Sequence, residues 1–236
     1  MAHIFPLEWI CSWFTDTLIT INKEDFLFAK KHLHAKDIEF VPGVGLEVKT
    51  FKNVVVNIAE KRMLYNISET DFVLLSVGEL NTNKNHEIVI RAVAEMGRSD
   101  MHYIVAGKGP LESYLKKLAL ELGVEKQVHI LGYRTDVAEL YKIANLYVHP
   151  SFREGLPVAI MECLASGTPC ITSNIRGCID LVKEDYFDPT DVNDVISQIM
   201  KNYKNRKANV CLEETYHEDN INKRMKQIYK IGGANE

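Results

Sequence analysis

The chain has 236 residues, 46% of them hydrophobic and 25% charged, with a formal net charge of −4. That length suffices for one large domain, or a domain plus a fragment, with a real core, and the negative balance excludes a basic nucleic-acid binder. The five cysteines include no C-x-x-C pair and read as reduced thiols of a cytoplasmic protein, not as a disulfide framework or a zinc site.

In chain order, the N-terminus lacks the basic-then-apolar layout of a signal peptide. No apolar run anywhere reaches the roughly 18 residues of a membrane span. FPLEWICSWF (5–14) is aromatic-rich and amphipathic. It reads as a helix buried against a domain interface, with peripheral contact at the inner face of a membrane as the alternative. A strand follows at 17–21 (TLITI), then a helix from 25 to 33 and a strand at 39–41. PGVG (42–45) breaks this βαβ fragment off as a turn or hinge. Apolar runs at 72–78, 102–107, 127–132, 145–151 and 169–173 then alternate with helical stretches at 84–96, 110–122, 136–143 and 157–165. Ile88, Ala92 and Val93 share one helix face, and Pro110 suits a first helical turn. From 190 helical patterns run to the end, with Thr190 or Asp191 as the cap.

Strand and helix alternating at this spacing predict βαβ units. Strands that are apolar throughout predict burial on both faces. The expected architecture is α/β, a doubly wound parallel sheet, Rossmann-like, over residues 46–236. Residues 1–45 are expected to stand apart as a βαβ fragment and hinge. Ligands of such sheets bind beyond the carboxyl ends of the strands, so the loops after Val77, Ala106, Leu131 and Pro150 are the ones to inspect.

In GELNTNKNHE (78–87), a strand ends at Gly78 and Lys84 and Asn85 open a helix, which would make an anion site for a phosphate. Taken alone, the loop reads more readily as a solvated βα connection. AGKGP lacks the full G-x-G-x-x-G spacing of a dinucleotide site. In HPSFREGLPVAIMEC, Glu154 lies in a Gly-Pro loop and Glu162 inside the next helix. The N–H groups of Gly155, Leu156 and Val158 would be free helix-start donors. A diphosphate could lie across them, with each carboxylate accepting from paired sugar hydroxyls. A solvated helix face also explains two glutamates at this spacing. His149 and His102, at strand ends, read as structural histidines, and Cys163 as a small packing residue.

From 72 to 182 the chain resembles the donor-binding half of the GT-B retaining glycosyltransferases of the family 4 type. The resemblance runs through SVGEL…K, IVAGKGP, VHILGYRTDVAELYKIANLYVHPS, REGLPVAIMECLASGTP and the RG of 176–177. It implies a transferase that moves a sugar from a UDP- or GDP-linked donor to a glycan or lipid-linked acceptor, as in capsule or exopolysaccharide synthesis, with no metal or other cofactor. Glu154 would contact the transferred sugar and stabilise an oxocarbenium-like transition state. Lys84, beside Gly78, would hold the diphosphate and neutralise the leaving group. Glu162 would bind the ribose, the backbone around Tyr133 and Arg134 the base, and Gly155, Leu156 and Pro157 the phosphates.

Three departures from the family pattern stand out. Glu79 occupies the place of an arginine that forms the second cation of the diphosphate clamp, a role left to Arg176 or Arg134. DLVKEDYFDPTD is short and lacks a Gly-rich strand. The resemblance implies that residues 1–45 are a remnant of an N-terminal acceptor domain, most of which would lie before Met1. The expectation is therefore a transferase that needs an acceptor-domain partner or self-associates through its N-terminal segment. The alternative is a non-catalytic donor-domain remnant or sugar-nucleotide binder. An epimerase or dehydrogenase is disfavoured by the incomplete glycine fingerprint.

Overall fold

The structure, a computed structural model, describes residues 5–205 and 211–229. Its first unit runs α1 (Phe5–Ser12), β1 (Thr17–Thr20), α2 (Lys23–His32) and β2 (Asp37–Phe40). The two strands pair in parallel, Leu18 opposite Ile38, as a two-stranded sheet of their own. Asn22 starts α2: its side-chain oxygen accepts from the Asp25 N–H, while Lys30, Lys31 and His32 in the last turn complement the helix dipole. Beyond the 42–45 turn come α3 (Lys49–Lys52) and α4 (Ile58–Met63). Neither is among the sequence-based expectations, because helices this short hardly display a 3.6-residue period.

The rest is the expected doubly wound domain. In chain order it runs β3 (Phe72–Val77), α5 (His86–Met96), β4 (Met101–Ala106), α6 (Glu112–Glu121), β5 (Val128–Ile130), α7 (Val137–Ile143) and β6 (Leu146–His149). It continues through α8 (Val158–Ser166), β7 (Cys170–Ser173), α9 (Cys178–Leu181), β8 (Tyr186–Phe187), α10 (Val192–Lys204) and α11 (Glu218–Ile228). All six strands of this sheet are parallel, in the order β5-β4-β3-β6-β7-β8. Counted from β3, this is the 3-2-1-4-5-6 order of the dinucleotide-binding fold. Alternate residues of β3 enter opposite cores. Leu74 packs with Ile88, Leu115 and Val195 from α5, α6 and α10. Val73 and Leu75 pack with Leu140 and Met161 from α7 and α8.

Several boundaries differ from expectation, each for a local reason. The helix expected from Lys84 starts at His86, because Asn85 adopts a left-handed conformation (φ 51°) and Lys84 belongs to a short 3-10 turn. The helix expected from Pro110 starts at Glu112. The DLVKEDYFDPTD stretch, without any glycine, still forms β8, which pairs with β7. Asp191 rather than Thr190 caps α10, its carboxylate accepting from the Asn193 N–H. Near the end the chain returns to the hinge. Leu46 N–H donates to Tyr216 O (3.0 Å), Glu218 N–H donates to Leu46 O (3.1 Å), and Arg224 pairs with Glu39 of the first unit. The last part of the expected helical tail, 230–236, lies outside the described residues. No described helix is long and apolar enough to cross a membrane.

Candidate functional site

The strand order places a topological switch point between β3 and β6, where successive connections leave in opposite directions and open a crevice at the carboxyl ends of the strands. The loop after β3 delivers Lys84 to it, and the loop after β6 delivers Glu154. Backbone and amide bonds clasp the two loops together. Phe152 N–H donates to Asn83 O (2.8 Å), and the Asn83 side chain donates to Arg153 O (3.0 Å). Asn81 caps the turn by accepting from the Lys84 N–H at 3.0 Å. The aliphatic stem of Lys84 runs over Gly78, where an added Cβ would sit 3.4 Å from Cδ and Cε. Its ammonium ends 2.6 Å from Glu154 Oε1, with the two side chains only 23% and 13% exposed.

Glu154 has further donors. His149 Nε2 lies 3.0 Å from the same oxygen, and the Ser151 hydroxyl lies 3.1 Å from Nε2. Burial alone would raise the Glu154 carboxyl, but bonds from His149, Lys84 and Ser151 override it and hold the group down at about 2. Glu162, one turn into α8, accepts from the Tyr141 hydroxyl at 3.0 Å. There burial wins over that bond, and the carboxyl is pushed above its ordinary value. The two glutamates thus differ: Glu154 is a fixed anion, and Glu162 is partly sheltered from water.

Between them run Gly155, Leu156 and Pro157, with Pro157 in the cap position of α8. Two elements back this loop. Gly177, at φ 74°, presses so close that a Cβ there would sit 2.1 Å from Gly155 O. The Asn22 side chain of the first unit donates to the same carbonyl at 3.1 Å. Both substitutes suggested for the missing clamp arginine have carboxylate partners of their own. Arg176 pairs with Asp25 at 2.6 Å, and Arg134 forms a fork on Asp136 at 2.7 and 2.6 Å. Tyr133 is exposed, with Lys108 Nζ 5.5 Å from its ring centre. The exposed Glu79 accepts from its neighbour Asn81. The glycines of AGKGP serve loop packing: a Cβ on Gly107 would meet Gly78 O at 1.8 Å, and one on Gly109 would meet Leu80 O at 2.4 Å.

The sequence profile of the Glycosyl transferases group 1 family matches residues 57–218, the whole doubly wound sheet and its crevice. The chain belongs to this family. Among its relatives, EpsD of Bacillus subtilis (strain 168) is 32% identical over 184 residues, covering 76% of this chain and 48% of that protein. The UDP-Gal:alpha-D-GlcNAc-diphosphoundecaprenol alpha-1,3-galactosyltransferase of Escherichia coli is 27% identical over 237 residues, 94% of this chain and 61% of the relative. The chain thus spans about half to three-fifths of these relatives. The fold is shared with Anabaena Alr3699/HepE, solved in complex with UDP and glucose, at a TM-score of 0.84 and 17% identity over 96% of this chain and 66% of that one. This group 1 glycosyltransferase chain therefore has the GT-B α/β architecture.

Sequence reasoning did not bring His149, Ser151 and Tyr147 to the site. The signal was available: residues alternating along a strand share a face, and Tyr147, His149 and Ser151 follow that period out of β6 to Glu154. The contact of His149 and Ser151 with the carboxylate, and of Tyr147 with the far side of the His149 ring, needed the three-dimensional turn of the loop. His102, also read as structural, lies 3.1 Å from His129 and 3.2 Å from Asp71.

Proposed function

We propose that the chain supplies the donor site of a retaining, family 4 type glycosyltransferase. It takes a sugar from a UDP- or GDP-linked donor and passes it to a glycan or lipid-linked acceptor. The observation that carries this reading is the convergence of Lys84 and Glu154, from two different loops, at the switch point of the sheet. A cation for a diphosphate and an anion for a polarised sugar stand side by side there. In the proposed complex Lys84 holds the leaving diphosphate, Glu154 faces the sugar, Glu162 accepts from the ribose hydroxyls, and the 155–157 loop meets the phosphates. The base lies by Tyr133 and Arg134.

Lipid-diphosphate acceptors of the kind in the Escherichia coli relative's name fit a protein working in the cytoplasm at the inner face of a membrane. Transfer also needs an acceptor-binding surface facing this crevice, and a partner protein with an acceptor domain, or self-association through the N-terminal segment, would bring one. Positioning of the acceptor by that domain supplies a large part of the rate.

Calorimetric titration of UDP, GDP and several UDP-sugars, with Glu162→Ala alongside, tests this. The expected result is saturable binding to one nucleotide class, weakened at least tenfold or so by losing a bidentate carboxylate contact. Absence of binding to every nucleotide would leave a remnant that keeps the fold without the site.

A further inference from the structure

The inference below rests on the donor site just proposed. Lys84 and Glu154 neutralise each other at 2.6 Å in the donor-free protein. A diphosphate carries more charge than one carboxylate and draws the ammonium toward itself. Glu154 then needs another partner if it is to stay ionised and aimed at the sugar. We infer that His149 is that partner, a positioning residue whose Nε2–H anchors the Glu154 carboxylate when Lys84 turns to the diphosphate.

Four observations support this. First, His149 is 1% exposed, and its backbone is set in the sheet at the switch point, opposite Thr172 in register. Its carbonyl also accepts from the hydroxyls of Thr172 and Ser173, both at 3.3 Å. The ring therefore stands on rigid structure, whereas Lys84 sits on a loop.

Second, the tautomer follows from the neighbours. An ionised Glu154 only accepts, so the proton between it and the ring, 3.0 Å apart, belongs to Nε2. Nδ1 is then the acceptor, and the buried Tyr147 hydroxyl, 3.0 Å away, is its donor. Third, burial disfavours the imidazolium, so His149 acts as a neutral donor. The other titratable groups around it are Lys84, His86 and, facing Glu154, Cys178. Fourth, Ser151, 3.1 Å from Nε2, adds a hydroxyl on the same side.

Two measurements test the assignment. Nitrogen-15 spectra of the donor-free wild type read the ring directly. The expected result near neutral pH is a neutral His149 protonated on Nε2, and protonation on Nδ1 instead overturns the inference without any variant or ligand. The second is calorimetry of UDP, UDP-galactose, GDP and GDP-mannose with wild type, His149→Phe and His149→Gln. His149→Phe is expected to lose affinity for the nucleotide sugar by about tenfold, the worth of one hydrogen bond to a charged group. Its affinity for the bare nucleoside diphosphate should stay within about twofold. His149→Gln, whose amide nitrogen reaches the place of Nε2, is expected to recover most of the loss. An equal loss for nucleotide and nucleotide sugar, or none for either, overturns the inference. A wild type that binds none of the four ligands overturns the donor-site reading, and the role of His149 in donor binding falls with it whatever the ring tautomer.

Discussion

The six-stranded body and the first βαβ unit are made of the same elements in opposite surroundings. In the body, β4 is buried along its whole length and β3 along all but its last residue. In the first unit, β1 is half-buried throughout, β2 is half-buried after an exposed Asp37, and Leu7, Ile10, Trp13, Phe14 and Leu27 are each more than half exposed. A parallel sheet is stable when helices cover both faces, and two strands with their short helices cannot arrange that for themselves. The first unit is tied to the body by polar contacts: Asn22 to Gly155, Lys23 N–H to Asp180, Asp25 to Arg176, and Glu39 to Arg224. Two of these fall on the 155–157 loop and the 176–177 turn behind it, so the unit that covers itself least also backs the proposed donor site.

Three experiments probe the difference between the two regions. The largest effect is expected in the body. Leu75→Ala empties part of a fully buried cluster and should cost about 2–5 kcal/mol in urea unfolding; a loss below about 1 kcal/mol would mean that the body is loosely packed. Next comes pH. His86 is buried at the start of α5, and burial pushes it from 6.5 down to about 4. Below 6.5 the unfolded chain takes up a proton that the folded chain refuses until about 4. Stability therefore falls as pH drops through that window, by about 3 kcal/mol from this group. His86→Asn keeps a donor for Tyr103 and should flatten the fall; an unchanged pH profile would contradict the assignment.

The smallest effect belongs to the first unit. Phe14→Ser is expected to change unfolding stability by no more than about 0.5 kcal/mol. It should nevertheless weaken self-association of the wild type at micromolar concentration, which the exposed apolar face favours. Sedimentation of both proteins reads this, and a strictly monomeric wild type would contradict it.

The sheet was legible because strands buried on both faces read as unbroken apolar runs, such as FVLLSV and HYIVA. The loops that carry Lys84 and Glu154 were legible because each follows such a run and contains glycine, whereas the choice of these two side chains came from the family resemblance. The rest was hidden for physical reasons. The left-handed Asn85, which ends the 3-10 turn and holds Lys84 off the helix, follows from local geometry that asparagine tolerates but does not announce. β8 has two residues, too few for any period. The partners of Arg176 and Arg134 are set by tertiary contacts, so two cations that looked available in the sequence are paired in the fold. The His149–Glu154 contact spans only five residues, yet it depends on a loop clasped from the other side by Asn83.

The most direct test of the central claim is a crystal structure of the chain soaked with the nucleotide sugar that binds best. Density is expected across the crevice between Gly78–Lys84 and Glu154–Glu162, with the Lys84 ammonium withdrawn from Glu154 toward the diphosphate and His149 still on the carboxylate. Density in the hollow of about 400 Å³ lined by Asn174, Tyr186, Asp188 and Asp194, with the Lys84–Glu154 pair intact, would contradict it.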